Sequence, residues 1–273
     1  MAENVSTALL FLFVLLLASC NSDNSDSSPT PLAQQPNQLT TQPSIYESID
    51  TKNIRAIFSH GFTLWLDCTK KAAYQFKYSL TTDNGNIARS SSFKIDQDNA
   101  NCQQTSTGSY KVTGGTTYDR GHLVPANHMD NNATSIKQTN YMVNILPQLP
   151  NMNRGAWLQT EEISECYRDI NNVHVYGGAL WEKGKTNNYF KASHGIETPS
   201  SFWKILIFED QIIAWIIPNS QAAKRSQLNS YLVKPQELLD ELKKINVEFN
   251  IGDISSLSVA TKSWALPKGC DRS

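Results

Sequence analysis

The chain has 273 residues, 40% of them hydrophobic and 18% charged, which bounds it to one large domain or two small ones with material for a sizeable core. Its 24 Lys and Arg against 25 Asp and Glu leave a net charge of −1, and Glu3 is the only charge before residue 20. That balance excludes a globally basic surface, so affinity for any polyanion must come from positive potential around a local cleft.

Ala8 to Ala18 is an apolar run, the length of a signal-peptide core and short of the roughly 20 residues a bilayer span needs. It ends at Leu17-Ala18-Ser19-Cys20, which is similar to a bacterial lipobox, although Met1 to Thr7 lacks the usual Lys or Arg. The expectation is a leader over residues 1–19, a lipidated Cys20, and an exported protein anchored to a membrane on the periplasmic or cell-surface side, or otherwise secreted. Asn21 to about Ser44 is chiefly Ser, Asn, Asp, Gln, Thr and Pro with no aromatic residue. Such a stretch cannot bury enough surface to fold, and a disordered tether is expected over 20–52. No repeat, heptad pattern or second linker interrupts the remainder of the chain, so one domain is expected over 53–273.

Four cysteines remain after Cys20: Cys68, Cys102, Cys166 and Cys270. An even number in an exported chain suggests two disulfides, with three connectivities open. The preferred one is Cys68–Cys102, on proximity in sequence, with Cys166–Cys270. The spacings do not resemble a zinc site.

Phe62 to Cys68 is apolar and aromatic, and Tyr74, Phe76, Tyr78 and Leu80 alternate with polar residues, the period-2 pattern of a half-buried strand. A hairpin about Thr69 to Ala73 is expected to join them. Ile87 to Gly115 is polar and gives no pattern. Tyr118 to Leu123 reads as a strand, Tyr141 to Leu146 as a second strand stopped by Pro147, and Asn153 to Arg168 as a helix. Val173 to Leu180, Phe202 to Phe208 and Ile212 to Ile217 read as strands, the last two a hairpin, and a helix with Pro235 in its first turn comes after them. The fold class expected is α+β on a mixed, largely antiparallel sheet with flanking helices.

Two of these stretches carry phosphate chemistry. On a strand, Arg120 and His122 share one face and Asp119 and Gly121 the other. On a helix, Asn153, Trp157 and Glu161 fall in one stripe. Cleaving a phosphodiester needs a base to activate water, cations to neutralise the phosphoryl oxygens, and help for the leaving alkoxide. Histidine suits the first step at neutral pH, arginine clamps phosphate, and an amide oxygen with a carboxylate ordering the hydration shell suits magnesium.

Asp119-Arg-Gly-His-Leu-Val-Pro-Ala126, Asn144-Ile-Leu-Pro-Gln148 and Asn153-Arg-Gly-Ala-Trp157 with Glu161 together resemble the DNA/RNA non-specific endonuclease family. The similarity continues weakly through Val173–Gly178 and Thr198–Lys204. The resemblance implies a ββα-metal fold and a Mg2+-dependent endonuclease, with Mn2+ as a substitute, that cuts DNA and RNA with little sequence preference and leaves 5′-phosphates. It implies His122 as general base, Asn153 as metal ligand, Glu161 as the carboxylate ordering the metal's waters, Arg120 as the motif arginine, Asn144 as an asparagine that holds the histidine or phosphate, and Arg89 as an arginine near the scissile phosphate. Asp119 reads as scaffold, Trp157 as core and His128 as a loop histidine. A nucleic-acid-binding surface lipoprotein of the same fold without turnover is the alternative.

Overall fold

The structure is a computed structural model that describes residues 42–270 apart from 113, 114, 116 and 249. The expected leader, Cys20 and the tether as far as residue 41 lie outside the described residues. The tether does not extend to 52: Tyr46 and Ile49 are buried, and Tyr46 bridges to Glu182. Two large apolar side chains are enough to draw this segment onto the domain.

In chain order the domain begins with β1 (Ile54–Phe58), β2 (Phe62–Asp67) and β3 (Ala72–Leu80), paired antiparallel. The connection between β2 and β3 falls where expected. β3 is more deeply embedded than a half-buried strand, since Gln75 is as buried as Tyr74 and Phe76. An irregular stretch leads to β4 (Asp119–His122), α1 (Ala133–Thr139), β5 (Ile145–Gln148) and α2 (Leu158–Arg168). The chain then returns through β6 (Val173–Leu180), the single-turn α3 (Lys191–His194), β7 (Ser201–Phe208), β8 (Gln211–Pro218), α4 (Pro235–Lys244) and β9 (Ser258–Val259).

Among the described residues the main sheet runs β1-β2-β3-β6-β7-β8-β9, antiparallel except for the β8–β9 pair. β4 and β5 form a separate antiparallel ribbon, and α2 packs against β3, β6 and β7. The fold class is therefore α+β, as expected. The key between layers is Trp157, fully buried, its ring edge-on to Phe76 of β3 at 6.5 Å and tilted on Phe202 of β7 at 5.6 Å. Side chains of this size each stabilise the fold by about 1.5–3 kcal/mol on burial. Two disulfides, Cys68–Cys102 and Cys166–Cys270, have the preferred connectivity.

Three local expectations are corrected. Pro147 does not stop β5; it lies within it, opposite Arg120, in a ribbon whose edges a residue without an N–H can occupy. Tyr141 to Asn144 is not strand, because Met142–Asn144 forms a 3-10 turn. Asn153 to Arg168 is not one regular helix: Met152–Trp157 is a π-helical turn, in which the N–H of Leu158 reaches back to the carbonyl of Asn153. The tertiary cause is visible, since the Ala156 N–H donates instead to Ala223, 3.2 Å away. Gly155 permits that approach, because a Cβ there would meet the 223–225 backbone at 3.0–3.1 Å.

Candidate active site

β4 supplies the strand half of the site. A Cβ at Gly121 would lie 2.2 Å from the Gln148 side chain, so glycine leaves the room that this side chain fills between β4 and β5. That packing sets Arg120 and His122 at one wall of a cleft of about 200 Å3, lined also by Arg89, Asn153, Arg154, Leu158 and Glu161. Five of the residues the sequence singled out thus converge: Arg89 from the unpatterned loop, Arg120 and His122 from β4, Asn153 from the π-turn and Glu161 from α2.

His122 is buried, with Nε2 2.9 Å from Asn140 Oδ1. Asn140 Nδ2 donates to the Ser90 carbonyl at 2.6 Å, so its oxygen faces the imidazole. Nε2 therefore carries the ring proton and Nδ1 is the unprotonated nitrogen. Burial, then the charge of Arg89, lower the pKa of His122 to about 4, against the opposing bond from Asn140; Arg120 lowers it further. The ring is neutral at pH 7. Arg120 donates to the Thr107 carbonyl at 2.9 Å and lies over the Phe93 ring, 4.0 Å from its centroid, which fixes the guanidinium in the wall.

Asn153 and Glu161 form the helix half. Asn153 Nδ2 donates to Asp119 Oδ2 at 2.9 Å, while Arg154 takes the same carboxylate at 2.8 and 2.5 Å. The amide oxygen of Asn153 is the end left to face a cation. Burial pushes the Glu161 carboxyl up to about 7, offset by the positive charges of Lys204 and Arg89 and a hydrogen bond from Trp157. Lys204, fully buried, has its Nζ 3.7 Å from the Trp157 ring centroid and no hydrogen-bond partner among the described residues; burial lowers its pKa to about 8, against the pull of Glu161. The indole N–H of Trp157 also lies 3.2 Å from the His122 carbonyl. One tryptophan therefore touches both halves of the site.

A single amide oxygen with one adjacent carboxylate fits magnesium, which needs few protein ligands and retains several waters. When bound, such a cation supplies Lewis-acid charge for the phosphoryl and leaving oxygens.

Asn144 is not in the cleft. It is fully buried, its Oδ1 accepting from the Val124 N–H and its Nδ2 donating to the Val124 and Thr139 carbonyls, so its polar capacity is used to knit the turn after β4. The histidine's asparagine is Asn140, which no sequence pattern distinguished. Asp119 acts as a scaffold: its carboxylate reaches across to Asn153 and Arg154. His128, expected as a loop histidine, lies in a short 3-10 turn, buried against Tyr78, with its Nε2 3.2 Å from the Glu161 carbonyl.

A strand ribbon crossed by a helix, with histidine on the strand and amide and carboxylate on the helix, is the ββα-metal nuclease fold. The model of the DNA/RNA non-specific endonuclease family matches residues 40–251, and the chain belongs to that family. It is 26% identical over 165 residues to human mitochondrial endonuclease G, covering 54% of this chain and 55% of that protein. It is 28% identical over 161 residues to a nuclease of Serratia marcescens, covering 57% and 59%. The chain thus spans little more than half the length of these relatives. Among solved structures, an EndoG/EndoGI complex shares the fold, with a TM-score of 0.58 and 18% identity over 75% of this chain and 89% of that one.

Proposed function

We propose that the chain is a magnesium-dependent endonuclease that hydrolyses phosphodiester bonds of DNA and RNA with little sequence preference, manganese serving as a substitute. The observation that carries this reading is the convergence on one cleft of a neutral histidine, two arginines, an amide oxygen and a half-buried carboxylate.

His122 accepts a proton at Nδ1 from a water poised against phosphorus, and the water oxygen bonds to phosphorus. Arg89 and Arg120 neutralise the charge gathering on the non-bridging oxygens. Asn153 would hold the magnesium and Glu161 would order its waters. The P–O3′ bond breaks, the 3′ oxygen takes a proton from solvent, and a 5′-phosphate remains on the other fragment. Because the cleft addresses phosphate rather than base edges, low specificity is the consequence.

The two disulfides support an oxidising compartment, and with the lipobox-like Cys20 we place the protein outside the cytoplasm, tethered to a membrane. Palmitate labelling of wild type and Cys20→Ala tests this, and equal labelling of the two overturns it.

The activity is tested by incubating the full-length protein with plasmid and with RNA, in magnesium and in EDTA. Cleavage in magnesium that His122→Ala abolishes supports the reading. Equal rates for the two proteins overturn the assignment of the base, and tight binding without nicking replaces enzyme by binding protein.

A further inference from the structure

A second cavity, of about 730 Å3, lies on the far side of the Arg120 wall and is walled in part by Phe58, Phe93, Tyr141, Asp96 and Asp98. Phe93 is the partition. Its ring centroid lies 5.7 Å from that of His122 and 4.0 Å from the Arg120 guanidinium carbon. Thr107, which holds Arg120 through its carbonyl, also lines this cavity. The recess therefore begins one ring's thickness from the groups that face phosphate.

The two spaces differ in chemistry. The cleft gathers Arg89, Arg120 and Arg154, whereas the recess sets Asp96 and Asp98 against a single Lys94. Carboxylates repel a second phosphate but accept hydrogen bonds from the amino group of a base. At the rim stands Phe58, on the edge strand β1 and 81% exposed. An aromatic ring left in water at the mouth of a polar recess is a stacking platform for a planar ligand. The volume lies within the usual range for small-ligand pockets, roughly 300–1,000 Å3.

We propose that this recess receives the nucleobase of a nucleotide flanking the scissile phosphate, stacked on Phe58 with its amino edge toward Asp98; the inference rests on the endonuclease reading above. A base inside a duplex is held in its stack and cannot enter without being extruded. Single-stranded or locally unpaired segments are therefore the substrates this recess favours.

The test reads the cut positions along a single-stranded oligonucleotide that carries one abasic nucleotide, using the full-length protein in magnesium. The expected result is a loss of cleavage of about five-fold or more at one fixed offset from the abasic position, and disappearance of that gap in Phe58→Ala. Phe58 contributes nothing to the core, so unchanged thermal melting checks that the variant is folded. Wild type that cuts evenly past the abasic position, or a gap that persists in Phe58→Ala, overturns the base subsite and leaves the endonuclease reading intact. Failure of wild type to cut the unmodified oligonucleotide overturns the endonuclease reading, and the subsite with it.

Discussion

Asn140 and His122 are joined side chain to side chain at 2.9 Å, and the other end of the Asn140 amide is fixed at 2.6 Å on the carbonyl of Ser90, the neighbour of Arg89. One amide thus sets the tautomer of the base and ties it to the loop that brings the arginine. Asn140→Ala frees the ring to turn, and kcat is expected to fall about 10-fold to 100-fold with little change in KM. Asn140→Asp places a carboxylate against Nε2, raises the pKa of the ring, and moves the acid limb of the pH–rate profile upward. A profile identical to wild type in both variants rules out this role.

Arg89 acts on the same ring through charge. Its positive charge favours the neutral imidazole, so its removal must raise the pKa of His122 from about 4 toward the ordinary 6.5. In Arg89→Ala the acid limb of kcat/KM is expected to shift to higher pH. An unchanged or lowered limb contradicts the electrostatic link.

On the proposed reading, Glu161 is expected to couple cation binding to protons. Burial pushes its carboxyl up to about 7, and ordering a hydrated cation requires the anion, so magnesium affinity should rise with pH through about 7. Because its folded pKa lies above its unfolded one, Glu161 contributes stability that is present below pH 4.5 and lost as pH rises through 7. Added magnesium should therefore raise Tm more at pH 8 than at pH 5. Lys204→Met removes the charge that favours ionisation and should move the affinity transition to higher pH. Calorimetric titration in buffers of different ionisation enthalpy measures the proton release, and none at pH 6.5 in wild type defeats the coupling.

Asp119 fixes the Asn153 amide, which donates to its carboxylate at 2.9 Å. In Asp119→Ala the Asn153 amide loses its anchor, and magnesium affinity is expected to fall about 10-fold to 100-fold. Arg154→Ala should do far less, since its side chain is 71% exposed and the median worth of surface ion pairs is about 0–1 kcal/mol. Equal losses in the two variants would place the anchoring in Arg154 instead.

Cys166 lies on α2 five residues after Glu161, and its disulfide closes 104 residues of chain. By loop-closure entropy that bond stabilises by about 5 kcal/mol, and each kcal/mol is worth roughly 2–4 °C in a domain of this size. Cys166→Ser with Cys270→Ser should lower Tm by roughly 10 °C or more. A shift below about 2 °C assigns the stability of this helix to packing alone.

Much of the framework was legible because its signals are local. Val173–Leu180, Phe202–Phe208 and Ile212–Ile217 are apolar runs that belong inside a sheet, and the Asp-Arg-Gly-His segment carries its glycine for a contact only β5 makes. What escaped the sequence depends on partners distant along the chain. The π-turn arises from Ala223, the place of Asn140 from Ser90, and the reach of Asp119 from Asn153 and Arg154. Asn144 misled for the same reason: its type and position match a site asparagine, while the fold gives all its hydrogen bonds to backbone.

The widened turn at Met152–Trp157 has a bearing on how this segment can vary in length. In a regular helix, residues eight apart stand about 80° apart around the axis, and the extra span of the π-turn offsets that rotation so that Asn153 and Glu161 open on one cleft. Deleting a single residue between them would convert the turn to ordinary α-helix and leave the pair seven apart, within about 20° of each other around the axis, so the amide and the carboxylate would keep one face. A residue gained here, with the turn kept, would instead set them about 80° apart, so gain of one residue should be more damaging than loss of one.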